Sequence, residues 1–165
     1  MRKISFRFWF GGSALACVLL LAYAIYEQKV MGLEPCPLCI FQRIGFIAVA
    51  VIMALGSLHN PGALGRKCYG LLAALAALAG GAVAARHVWL RHLPPDQVPD
   101  CGPGLAYMLD AFPLGKTITS VFTGSGECAA ADGWMFLHLD MPSWTLIWFA
   151  GLLLVAVYGG FRARG

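Results

Sequence analysis

The chain has 165 residues, of which 59% are hydrophobic and only 12% are charged, against about 45–50% and about 25% in a typical soluble domain. A single domain of this length has too little interior to hide so much apolar surface, so the composition excludes an ordinary soluble globule and indicates a membrane protein. The net charge of +4 comes without a visible cluster of Lys and Arg on one surface, which excludes a basic nucleic-acid-binding patch.

Four stretches without charge follow one another along the chain, and each is predicted to span a membrane. They are Phe8–Tyr26, Ile44–Leu58, Cys68–Ala85 and Met141–Phe161. A span needs about 20 apolar residues, so with neighbouring residues the predicted helices cover about 8–26, 38–58, 68–86 and 142–161. The expected fold is all-α: a single membrane domain over 1–165 that forms a four-helix bundle, with outer loops at about 27–37 and 87–141.

The second helix reaches membrane-spanning length only when Cys36–Arg43 is added to it. Arg43 is then the one charge predicted within a span. A charge at that depth is costly and suggests a function. The alternative is that Arg43 anchors the helix at the membrane interface.

The charged residues predict the orientation of the bundle. Basic residues lie at the N-terminus, between the second and third helices, and at the C-terminus: Arg2, Lys3, Arg7, Arg66, Lys67, Arg162 and Arg164. Because basic segments stay on the cytoplasmic side, both termini are expected there. All eight acidic residues, Glu27 among them, are then expected in the two outer loops.

The first apolar stretch has a second interpretation as a cleavable signal peptide, because Ala22-Tyr23-Ala24 resembles a cleavage site. Its length and the aromatic residues at both of its ends, such as Trp9 and Tyr26, favour a membrane span instead.

The long outer loop contains five prolines and six glycines between His87 and Asp140, so it is expected to be largely irregular and mobile. Two less polar segments, Leu105–Phe112 and Trp134–Leu139, are predicted to form short helices on the membrane surface.

Six cysteines divide into two sets. Cys17 and Cys68 fall within predicted spans and are expected to be small buried apolar residues. The other four are expected on the oxidising outer side, where disulfides form: Cys36, Cys39, Cys101 and Cys128. Three pairings are possible; adjacency favours Cys36–Cys39 and leaves Cys101–Cys128.

The outer cysteines could instead be structural. Two pairs could form a four-sulfur zinc site, but such a site usually has a second close pair, which 101 and 128 do not make. Cys101–Cys128 alone could be a disulfide staple. A structural role suits Cys36–Cys39 less well, because so small a ring removes little chain entropy.

The spacing Cys-Pro-Leu-Cys indicates a reactive pair at a helix start. Pro37 suits a first helical turn, so Cys39 is expected in that turn, where the helix dipole favours a thiolate. Arg43 follows four residues later on the same face, about 6 Å deeper. A thiolate, a cation and adjoining lipid together suggest a site for a hydrophobic electron acceptor; no Gly-rich fingerprint of a nicotinamide cofactor is present.

Five segments of this chain together resemble the disulfide bond formation protein B family, in their order, spacing and topology. They are Leu33–Arg43 (LEPCPLCIFQR), Ala85–Leu90 (ARHVWL), Cys101–Pro103 (CGP), Gly124–Cys128 (GSGEC) and Met141–Thr145 (MPSWT). The resemblance extends over nearly the whole chain, from the first predicted helix to the fourth.

The resemblance implies a quinone-dependent protein-disulfide oxidoreductase of the bacterial inner membrane, with its redox loops in the periplasm. Its protein partner would be a thioredoxin-fold disulfide oxidase (a DsbA-like protein), whose thiolate attacks Cys101–Cys128. Electrons would pass to Cys36–Cys39, and Cys39 would deliver them to ubiquinone or menaquinone.

The resemblance also implies that Arg43 and His87 lie at the quinone site, and that no metal is needed. Gln42 stands where some family members have an acidic residue. Three alternatives remain. A relative of vitamin K epoxide reductase would place its cysteine pairs in a different order, a tetraspan scaffold would use its disulfides only as staples, and haem could bind through His87 with His92 or His138.

Overall fold

The computed structural model describes residues 5–32, 35–94, 96–97, 113, 115, 126–129 and 135–162. Four long helices dominate them: α1 (Phe6–Val30), α2 (Pro37–His59), α3 (Ala63–Arg91) and α5 (Met141–Phe161). A short helix, α4 (Gly126–Ala129), and a hairpin of β1 (Met135–Phe136) and β2 (Leu139–Asp140) precede α5. The predicted all-α membrane bundle is confirmed.

Each of the four long helices is long and apolar enough to cross a bilayer, with a mean hydropathy between 1.8 and 2.3 over its most apolar segment. Their outer faces are covered by exposed Leu, Ile and Val side chains, for example Leu19, Val51 and Leu75. Water would solvate such a surface poorly, whereas lipid chains match it. The chain is therefore a multi-pass membrane protein.

The end of α1 differs from the sequence prediction. Residues 27–30, expected in an outer loop, continue the helix to Val30, and Gly32 follows with a φ of 69°. Gly without a Cβ adopts this left-handed conformation readily, as is common just after a helix C-terminus. The expectation that every acidic residue lies in an outer loop is therefore wrong for Glu27, which is only 7% exposed.

Small residues let α3 and α5 approach closely. A Cβ added to Gly70 would lie 2.7 Å from the Gly160 Cα, so neither position has space for a larger side chain. Further along, the ring of Phe149 stacks on Phe46 with centroids 4.3 Å apart and fills the space beside Gly80. In a membrane, lipid tails are as apolar as the helix side chains, so the hydrophobic effect does not drive helices together. Close packing of small residues stabilises their association instead. Cys36 and Cys39 lie at the start of α2, which packs against this pair of helices.

The two cysteines within the helices have different surroundings. Cys17 is fully buried in the bundle core, as expected. Cys68 is exposed on α3, so the expectation that it is buried is wrong. Cys68 lies on the outward face of the helix and has no place in the core cluster.

The segment before α5 is a β-hairpin over 135–140 and not the predicted surface helix. Met135 pairs with Asp140 and Phe136 pairs with Leu139. Leu137 and His138 between them both have positive φ, 51° and 62°, which is the backbone of a two-residue hairpin turn. The other predicted surface helix, Leu105–Phe112, lies outside the described residues.

Candidate functional site: a cysteine pair at the mouth of an apolar cavity

Cys36 and Cys39 lie at the start of α2, as their spacing predicts. Cys36 is the N-cap of the helix, with φ −64° and ψ 163°, and its sulfur accepts a hydrogen bond from the Cys39 backbone N–H at 3.4 Å. The two Sγ atoms are 3.1 Å apart. A sulfur thus occupies the position where capping oxygens usually meet the positive end of the helix dipole.

His87 connects this cysteine pair to the segment that contains Cys128. Its ring is buried on α3, with Nε2 3.9 Å from the Cys36 sulfur and 3.1 Å from the carbonyl oxygen of Cys128. On the other side, Nδ1 lies 3.0 Å from Nε2 of Gln42. The contacts with Gln42 and Cys128 are both satisfied when the Gln42 amide donates to Nδ1 and the Nε2–H group donates to the Cys128 carbonyl.

Cys128 is the second loop cysteine, and it lies beside the first pair. It belongs to α4, is 1% exposed and packs in a cluster with Leu38, Val83 and Leu90, against which Cys36 also packs. The structure therefore brings Cys36, Cys39 and Cys128 to one end of the bundle. Cys101, the fourth predicted redox cysteine, lies outside the described residues.

Arg43 lies one helical turn after Cys39 and joins α2 to α1. Its Nη1 donates to Oε1 of Gln28 at 2.6 Å, and its Nη2 donates to the backbone carbonyl of Ala24 at 3.0 Å. Both bonds hold the guanidinium in a fixed direction at the depth of the last turns of α1. The guanidinium is thus held between α2 and α1.

A cavity of about 450 Å³ opens beside Cys39. Its walls come from α1, α2, the β-hairpin and the first two turns of α5, and they are mostly apolar and aromatic, including Phe46, Phe136, Trp144 and Trp148. Apart from the indole rings, the lining side chains that carry polar groups are Tyr23, Glu27, Gln28, Cys39, Gln42, Arg43 and Thr145. This volume and this pattern, few polar groups in an apolar wall, are typical of a small-molecule site.

Of the predicted site residues, Cys39 and Arg43 line this cavity and His87 does not. His87 reaches it indirectly, because its partner Gln42 forms part of the wall. Sequence reasoning missed Glu27 and the hairpin residue Phe136. Glu27 lies three residues after Ala24 and four after Tyr23, so helical periodicity would have placed it on the cavity face had α1 been extended.

An ion pair joins α3 to the residue that precedes α5, the helix whose first two turns line the cavity. Arg91 Nε lies 2.7 Å from Oδ2 of Asp140, which joins the end of α3 to the start of α5. Asp140 is also the N-cap of α5, because its carboxylate accepts the Ser143 N–H at 3.1 Å. The hairpin that carries Phe136 ends at this same Asp140, and Trp144 Nε1 donates to the Phe136 carbonyl at 3.0 Å.

Low pH is expected to weaken the ion pair between Arg91 and Asp140. Partial burial alone raises the pKa of Asp140, but the hydrogen bonds from Ser143 and the charges of Arg91 and His92 outweigh it and hold the pKa below its ordinary value of 3.8. A carboxyl with a lowered pKa stabilises the fold above the unfolded value, and the contribution is lost as pH falls below it. Asp140→Asn keeps a capping oxygen but removes the charge. We expect it to lower thermal stability in detergent at neutral pH.

The difference in thermal stability between wild type and Asp140→Asn should decrease as pH is lowered. The stability gap should begin to shrink as pH falls below the ordinary value of 3.8 and should close below the lowered pKa of the folded protein, where the wild-type carboxyl loses its own charge. A gap of constant size across that range would show that the ion pair contributes nothing.

Comparison with known proteins matches nearly the whole chain to one protein family. The family model described as "Disulfide bond formation protein DsbB" matches residues 6–159. The disulfide bond formation protein B of Xanthomonas campestris pv. campestris (strain 8004) is 51% identical over 97% of this chain and 93% of its own. That of Saccharophagus degradans is 53% identical over 88% of this chain and 87% of its own. That of Acinetobacter baumannii is 48% identical over 97% and 94%.

Proposed function

Because this chain belongs to the disulfide bond formation protein B family, we propose that it oxidises a periplasmic dithiol protein and passes the electrons to membrane quinone. The family assignment and the four apolar helices make it a disulfide-forming membrane protein. The quinone, the partner and the roles of single residues are our proposal. The observation that carries it is the position of Cys39, which lies both in the cysteine pair and in the cavity wall.

The cavity suits a quinone ring in its chemistry. Flat apolar walls with Phe46 and Trp148 match a hydrophobic ring, while the Arg43 guanidinium offers the kind of charged donor that stabilises a carbonyl oxygen as it gains negative charge. Three of the helices that line the cavity are long and apolar enough to span the bilayer, in which a lipid-soluble molecule is dissolved. When bound, ubiquinone or menaquinone supplies a two-electron, two-proton acceptor.

The protein side of the reaction is disulfide formation between Cys36 and Cys39. With their sulfurs 3.1 Å apart, the pair needs only a small shift to bond. Cys39 faces the cavity and delivers the electron pair, and Cys36 attacks Cys39 to close the disulfide. His87 stands beside Cys36 and holds the Cys128 carbonyl, which keeps the loop segment against the pair.

The loop cysteines supply the reducing equivalents in this proposal. A reduced thioredoxin-fold disulfide oxidase (a DsbA-like protein) attacks a Cys101–Cys128 disulfide, and a mixed disulfide forms at Cys101. The resulting thiols then reduce Cys36–Cys39. The position of Cys128 beside Cys36, in one packed cluster, supports exchange between the two pairs. Both redox loops lie in the periplasm and both termini in the cytoplasm, as the basic flanks favour.

A steady-state assay tests this function. Purified protein in mild detergent is mixed with a reduced thioredoxin-fold oxidase and a short-chain ubiquinone, and the quinone's ultraviolet absorbance is followed. We expect continuous quinone reduction that stops when the dithiol substrate is consumed. No turnover above the protein-free rate would contradict the proposal and favour a scaffold stapled by disulfides.

A further inference from the structure

Glu27 is the buried acid that the proposed relay leaves without a role. It lies in the last turn of α1, is 7% exposed and contributes to the wall of the same cavity as Cys39 and Arg43. Its Oε2 atom is buried and has no hydrogen-bond partner among the described residues. A buried carboxyl oxygen without a partner is costly to keep, so its presence needs a reason.

An ion pair with Arg43 would be a structural reason for a buried Glu27, but the contacts of Arg43 do not support it. Arg43 lines the cavity too, but its hydrogen bonds go to Gln28 and to the Ala24 carbonyl. Gln28, the residue after Glu27, and the Ala24 carbonyl thus position the guanidinium through hydrogen bonds, and the described residues show no ion pair between Glu27 and Arg43. The carboxyl instead faces the space in which the acceptor would bind.

Reduction of a quinone requires a proton donor at this place. Two electrons leave the cysteine pair, and each of the two ring oxygens must gain a proton. The lining offers few groups that can release a proton: Gln28 and Gln42 carry only amide groups. The Arg43 guanidinium is held by its bonds to Gln28 and the Ala24 carbonyl, and the Thr145 hydroxyl donates to the Met141 carbonyl. Besides Cys39, Glu27 and Tyr23 remain among the described lining residues, and Tyr23 is 44% exposed on the outer surface of α1.

We propose that Glu27 is the proton donor to the quinone oxygen bound in this cavity; this inference rests on the function proposed above. The carboxyl O–H bond breaks as the O–H bond to the ring oxygen forms, while the electron pair comes from the sulfurs of Cys36 and Cys39 as the disulfide bond forms between them. The two thiols release two protons. One returns to the Glu27 carboxylate and the other leaves to water, while the second ring oxygen takes its proton from water, so charge and atoms balance.

The first test compares Glu27→Gln with Tyr23→Phe. Glutamine has nearly the same shape but carries no exchangeable acid proton, so we expect it to bind a short-chain ubiquinone as wild type does while quinone reduction slows roughly a hundredfold. Tyr23→Phe removes the hydroxyl of the lining tyrosine, and we expect its rate to stay well above that of Glu27→Gln. A wild-type rate in Glu27→Gln, or a loss confined to Tyr23→Phe, would overturn the proposal.

The second test does not depend on turnover. Infrared difference spectra of wild type with bound ubiquinone, recorded before and after chemical reduction of the ring, should show a change in a carboxylic C=O band that Glu27→Gln lacks. If the glutamine variant fails to fold, Glu27→Asp should shift the band. A wild-type spectrum without any carboxyl change would overturn the assignment. Absence of ring reduction by the wild-type cysteines would contradict the proposed function itself, whereas normal reduction in Glu27→Gln would contradict only the role of Glu27.

Discussion

Replacing Cys39 with Ser is expected to abolish quinone reduction, down to the rate measured without protein. Cys39 is the member of the pair that lines the cavity, and it lies 3.1 Å from Cys36. A serine hydroxyl is not a redox group, so no disulfide can form and no electron pair can be released. The measurement is quinone absorbance with a reduced substrate protein, and Cys36→Ser should give the same result.

The matched control for this prediction is Cys68→Ser. Cys68 is exposed on α3 and lies outside both the cysteine cluster and the cavity, so this variant should turn over as wild type does. It excludes a general effect of removing a thiol or of handling the protein. Substantial turnover in Cys39→Ser would refute the relay through this pair.

Replacing Arg43 with Ala is expected to weaken the apparent affinity for ubiquinone by roughly tenfold to a hundredfold. A hydrogen bond from a charged donor contributes about 1.5–3 kcal/mol, and about 1.4 kcal/mol corresponds to a factor of ten. The variant also frees Gln28 and the Ala24 carbonyl, which Arg43 now binds. The measurement is the quinone concentration dependence of turnover, with the cysteine pair intact.

Arg86→Ala is the control for the loss of a guanidinium from a membrane helix. Arg86 lies over the Trp89 ring at 4.1 Å and does not line the cavity, so its removal should leave the affinity for ubiquinone unchanged. Thermal unfolding of both variants separates a binding defect from a folding defect. An unchanged affinity in a folded Arg43→Ala protein would remove Arg43 from the acceptor site.

The sequence predicts the helices of this protein well because a bilayer restricts what a chain can do. A span must be helical and about 20 residues long, so uncharged stretches mark its position. The same reasoning fails at the helix ends. Because Glu27 is an acidic residue, this rule ends the first span at Tyr26, although nothing in residues 27–30 breaks a helix and α1 continues to Val30.

Local spacing also predicts that Cys39 and Arg43 face the same way, because they are one helical turn apart. The contacts of His87 could not be predicted in this manner. They depend on how α3 packs on α2 and on where the loop returns, which place Gln42 and Cys128 on either side of the ring. The hairpin over 135–140 was missed because Leu and His seldom take the left-handed turn conformation that they have here.

A single-turnover experiment tests the central claim most directly. Wild-type protein is reduced, freed of reductant and mixed with an equal amount of short-chain ubiquinone, and ring absorbance and free thiols are counted in the same sample. The account predicts that two thiols disappear for each ring reduced, and that mass spectrometry finds the new disulfide between Cys36 and Cys39. Thiols that persist beside an unreduced ring, or a disulfide that forms without loss of the quinone signal, would contradict it.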